Sequence, residues 1–90
     1  MLTPTTNDAE ALALAAMAAT LTDERRARRF LDLTGLDAGE LRERAVAGDR
    51  SLLAATIAFL ESHEPDLIAV AEAIGSSPAH LVEARAVLEA

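Results

Sequence analysis

Apolar side chains run nearly the whole way round the stretch Ser51–Leu60, SLLAATIAFL, where only Ser51 and Thr56 are polar. Drawn as a helix, it has no face suited to water and is expected to be buried by its neighbours. Asp49 is placed to cap it. Ala54, Ala55 and Ala58, set between Leu52, Leu53, Ile57, Phe59 and Leu60, would let other backbones approach on several sides.

Polar punctuation on either side predicts the remaining elements. Asn7, with Glu10 three residues on, reads as the capping-box start of a helix over Asp8 to about Leu21, whose Leu12, Leu14, Met17 and Leu21 also lie on more than one face. Thr22 is expected to cap a second helix that Gly35 closes; Ala27, Phe30, Leu31 and Thr34 share one face, and Arg25, Arg28, Arg29 and Asp32 lie opposite. Asp37 and Glu40 form another capping box ahead of a short third helix with Leu41, Ala45 and Val46 as its apolar edge, ended by Gly48. Beyond the central helix, Pro65 opens a fifth helix to Ile74 closed by Gly75, and Ser77 with Pro78 opens a sixth that runs to the C-terminus. No strand pattern interrupts them. Residues 1–7, which contain a proline and no periodicity, are expected to form a flexible tail, leaving residues 8–90 as one helical domain.

The two halves echo each other at a shift of about forty residues: Leu12 falls on Leu52, Glu24 on Glu64, Gly35 on Gly75 and Leu41 on Leu81. The expected fold is therefore all-α, a compact bundle of about six short helices arranged as two similar three-helix units packed through helices 1 and 4.

Composition narrows the possible chemistry. The formal charge is −7, every cation is an arginine or histidine, and from Ser51 onward Arg85 is the only arginine. Such a balance repels phosphate and argues against nucleic acid as a partner. With no cysteine there is neither a disulfide framework nor a thiolate metal site. The opening residues lack the pattern of a secretory signal, so a cytoplasmic address is the default expectation. The apolar run Ala11–Ala19 falls short of the ~20 residues a membrane span needs.

Few residue constellations suggest function. Arg25, Arg26, Arg28 and Arg29 form the one basic cluster, which could hold an acidic partner or a phosphate, with Arg25, Arg28 and Arg29 as the candidate partner contacts; the plainer expectation is a solvated face with Arg28 paired to Asp32. Val70–Leu88, within residues 66–89, has the form of a helix-turn-helix, but its base-reading positions would be Ala79, His80 and Glu83, with Arg85 late in the helix. His63 lies among Glu61, Glu64 and Asp66 without metal-ligand spacing. No residue is singled out as catalytic, cofactor-binding or metal-ligating, and no small-molecule site is evident. An exposed face on the first helix, formed by Leu14, Met17 or Ala18, would offer a patch for a partner or a second copy.

The run RRFLDLTGLDAGELRERA followed by SLLAATIAFLESHEPDLIAVAEAIGSSPAHLVEARAVL resembles domain-of-unknown-function family 3572, with FLDLTGL and FLESHEPDL as its most specific pieces. The resemblance covers most of the chain from Ala11 onward, and the polar N-terminal tail is its one departure. It implies a short, all-helical, intracellular protein of bacteria, mainly alphaproteobacteria, and it assigns no activity to any residue. The expectation is a non-enzymatic module that contacts another protein or a copy of itself; the alternative is a small DNA-associated regulator built on residues 66–89.

Overall fold

Helices account for most of residues 5–90, the part of the chain that the computed structural model describes. Among the described residues there are six, with no strand: α1 (Thr6–Thr20), α2 (Glu24–Thr34), α3 (Ala38–Val46), α4 (Arg50–Glu61), α5 (Glu64–Ala73) and α6 (Pro78–Glu89).

Most helix starts follow from side chains that accept the otherwise unpaired first-turn N–H groups. The Leu52 N–H donates to Asp49 Oδ1 at 3.1 Å, and the His80 N–H donates to Ser77 Oγ at 3.1 Å. At α3 the exchange is reciprocal: the Glu40 N–H reaches Asp37 Oδ1 at 2.8 Å and the Asp37 N–H reaches Glu40 Oε1 at 3.2 Å. Three starts differ from expectation. Helix α1 is capped by Thr5, boxed with Asp8, and not by Asn7, so Thr6 and Asn7 are helical; residues 1–4 of the expected tail lie outside the described residues. Asp23 caps α2 in place of Thr22, because its carboxylate meets the Arg26 N–H at 2.9 Å while the Thr22 hydroxyl turns back to the Ala19 carbonyl. Helix α5 begins at Glu64 behind His63, which makes no side-chain cap bond.

Helices α1, α4 and α6 pack against one another and enclose the core, and α5 lies across α4 and α1. From α1 the core takes Ala9, Ala13, Ala16 and Met17; from α4, Leu52, Leu53, Ile57 and Leu60; from α6, Leu81, Ala84 and Leu88. The radius of gyration, 11.9 Å, is close to the ~12 Å of a compact chain this long. Contact between α1 and α4 follows the expectation, but the halves are not used alike. Helix α6 completes the central triad, whereas α3, its counterpart in the sequence echo, lies mainly against α4 at the edge.

The central helix is not buried all round. Ser51, Ala55 and Ala58 line an exposed strip on α4, since an alanine can face water at little cost and leaves no mark in a hydrophobic pattern. Val46, expected on the apolar edge of α3, points outward and is 80% exposed; it falls about a third of a turn from the line of Leu41 and Ala45.

Candidate interaction site

Helix α2 owes its position to one aromatic and two arginines. Phe30 is fully buried, and its ring meets that of Phe59 with centroids 5.0 Å apart at 51°. Pro65 in the first turn of α5 fixes the chain there. Asp66 follows it and faces α2, where it accepts from Arg26 Nε at 3.3 Å and from Arg29 Nη2. Arg26 also reaches the Ala19 carbonyl at 3.4 Å, and the Arg29 guanidinium lies 5.6 Å from the centre of the Phe59 ring. Arg26 and Asp66 occupy corresponding positions in the two halves of the sequence echo. No helical spacing links them, which is why Asp66 was not readable as the partner of these arginines.

Between α2 and the start of α5 lies a half-open concavity of ≈ 640 Å³ lined by Arg25, Arg28, Arg29, Asp32, His63 and Asp66 among others. Of the three predicted contact residues, Arg29 is thus tied to Asp66 and Phe59, whereas Arg25 and Arg28 are exposed. Among the described residues neither Arg25 nor Arg28 has an acid within ion-pair distance. The expected Arg28–Asp32 pair does not form: an exposed i,i+4 pair gains only ~0.2–0.5 kcal/mol, comparable to the entropy of holding two long side chains together. Leu33, 68% exposed, follows Arg25 and Arg29 at four-residue intervals along the same flank. It was not among the residues the sequence singled out, because a lone leucine in a helical pattern does not reveal which way it faces.

The other candidates are placed as follows. Of the acids near His63, Glu61 accepts from Arg85 and Asp66 is engaged by α2. Among the described residues no group of three metal-ligating side chains converges. His80 Nδ1 is 3.1 Å from Ser76 Oγ within the α5–α6 turn, where Gly75 adopts φ 68°. Arg85, the last cation of the helix-turn-helix segment, is held by Glu61 and Glu89. On α1, Leu14 and Ala18 are exposed while Met17 is buried. Three ionisations are displaced. The Arg26 N–H lowers the Asp23 pKa, the Glu40 N–H and side chain lower that of Asp37, and the Glu61 carboxylate raises that of Arg85. Each shift belongs to a cap or an ion pair.

Residues 6–90 match the family described as protein of unknown function (DUF3572). The chain belongs to the DUF3572 family. The match bears out the resemblance carried by the FLDLTGL and FLESHEPDL segments, and it extends through α1 to the helix start at Thr6. No curated protein and no solved structure matches this DUF3572 chain. No helix among the described residues is long and apolar enough to cross a membrane.

Proposed function

We propose that this DUF3572 chain is a small non-enzymatic interaction module, and that the arginine flank of α2 docks an acidic segment of another protein. The observation that carries the proposal is the pairing of free charge with exposed apolar surface. Among the described residues the exposed Arg25 and Arg28 form no ion pair, and Leu33, 68% exposed, follows Arg25 and Arg29 at four-residue intervals on the same helix. Arginine is enriched among the residues that carry binding energy at protein interfaces. Asp66 supports the same role from behind: by holding Arg26 and Arg29 it fixes α2, so docking there would cost little ordering. The overall charge of −7 is screened beyond ~8 Å at physiological salt, so an acidic segment at this flank would meet the local charges, Arg25 and Arg28 together with the exposed Asp23, Glu24 and Asp32 that line the same concavity.

The alternative, DNA association through α5 and α6, has less to support it. Leu81, Ala84 and Leu88 commit one face of α6 to the core, and its outer face carries Glu83 and Glu89 while Arg85 is already paired. Affinity capture from the source cells with the wild-type chain, and with an Arg25→Glu/Arg28→Glu variant of unchanged circular dichroism, tests the proposal. A partner retained by the wild type and lost by the variant is expected, and equal retention by both would refute this surface. Titration with mixed-sequence duplex DNA at rising salt should give no salt-sensitive binding; clear binding that weakens with salt would favour the alternative.

A further inference from the structure

Helix α3 gives only Leu41 and Ala45 to the core, and its outer side faces away from the bundle. Gly39, Arg42, Glu43 and Val46 fall on that side at three- and four-residue intervals, forming one stripe along a shallow open depression that Asp37 and Glu40 also line. Val46 is the most exposed large apolar side chain among the described residues. Helical spacing leaves both charges without partners: Arg42 has Ala38, Gly39, Ala45 and Val46 three and four positions away, and Glu43 has Gly39, Glu40, Val46 and Ala47. Neither takes part in an ion pair among the described residues. Gly39 is helical and, unlike Gly35, Gly48 and Gly75, does not have a positive φ, so its backbone conformation does not require glycine. A Cβ there would stand 3.3 Å from Asp37 Oδ1, so glycine keeps the stripe low where that carboxylate borders it.

We infer that this stripe docks a second copy of the chain, α3 against α3, antiparallel about a twofold axis. The stripe is self-complementary in a single register. An axis crossing the helix between Arg42 and Glu43 sets Val46 of each copy over Gly39 of the other, and the same axis sets each Arg42 opposite the other Glu43. A twofold interface requires this reciprocity, in which one residue meets a second and the second meets the first. The nine-residue helix is about 13 Å long, so the contact is well below the ~800 Å² per partner of stable complexes. The dimer is therefore weak and fills between micromolar and millimolar concentration. It is independent of the arginine flank of α2, which contributes no residue to it.

Sedimentation equilibrium over that concentration range tests the register by charge reversal. Arg42→Glu alone, or Glu43→Arg alone, places like charges opposite each other twice per dimer and should weaken association at least about tenfold. The double reversal restores opposite charges and should recover most of the loss. Val46→Glu, a second and independent probe, should leave the chain monomeric. Circular dichroism of each variant should match the wild type, since all these side chains are exposed. A wild-type chain that stays monomeric up to millimolar concentration overturns the inference. So does a dimer indifferent to the single reversals, or one that the double reversal fails to rescue.

Discussion

Asp66 sits in the first turn of α5, yet both of its ion-pair contacts are to α2. The Asp66 and Arg26 side chains are each only 14% exposed, so water screens their attraction less than it would on an open surface. Removing the carboxylate leaves Arg26 half-enclosed with only the Ala19 carbonyl for company. Asp66→Ala is expected to lower unfolding free energy by about 1–2 kcal/mol. Arg26→Ala should cost somewhat less, since Asp66 then still holds Arg29, and the double variant little more than Asp66→Ala alone, because both changes remove the Arg26–Asp66 contact. Urea denaturation of the three variants measures this, and fully additive losses would show that the two residues do not share an interaction. Larger effects belong to the core. Leu53 is fully buried in α4, and Leu53→Ala should cost about 2–5 kcal/mol by the same measurement. Against a total stability of roughly 5–15 kcal/mol, the upper end of that range would leave few molecules folded.

The elements differ in how firmly they are held. Helix α4 buries six side chains, whereas α2 buries one and α3 two. Short helices have little stability of their own in water and depend on the apolar face they bury. Residues 24–46 are therefore expected to open as a unit at lower free energy than α1, α4 and α6, with Phe30, Leu41 and the Asp66 contacts as the ties released. Hydrogen exchange at peptide resolution checks this: amides in α2 and α3 should lose protection before those of α4, and uniform protection would contradict it. The same contrast explains what the sequence could reveal. Caps at Asp37, Asp49 and Ser77 and the glycine stops are local chemistry, so helix number and order were legible. Which side of an alanine-rich helix meets a neighbour is decided by packing between distant segments. The outward strip of α4 and the unequal roles of α3 and α6 therefore stayed hidden, although Leu41 and Leu81 occupy matching places. For the candidate site, the arginine cluster was readable as letters. Its partition into tied Arg26 and Arg29 and free Arg25 and Arg28 depends on Asp66, 40 and 37 residues away along the chain from the tied pair.

At the scale of the whole molecule, charge sets how stability responds to acid. Every arginine except Arg85 lies between Arg25 and Arg50, while the total remains −7. Lowering the pH from neutrality toward the isoelectric point near 4.6 relieves repulsion within the compact state, so stability should stay level or rise slightly over that interval. Below it the caps dominate. Backbone N–H groups of Arg26 and Glu40 hold Asp23 and Asp37 below their ordinary pKa, so the folded chain takes up these protons less readily than the unfolded one. Their contribution is then fully present above the unfolded value of about 3.9 and is lost as pH falls through the lower folded values. Denaturation midpoints should consequently drop below about pH 4. Asp37→Asn supplies the control, since asparagine still caps a helix but does not titrate; its midpoint should fall less steeply with acid than that of the wild type. A variant that tracked the wild type down the whole acid limb would show that the loss arises from carboxylates other than this cap.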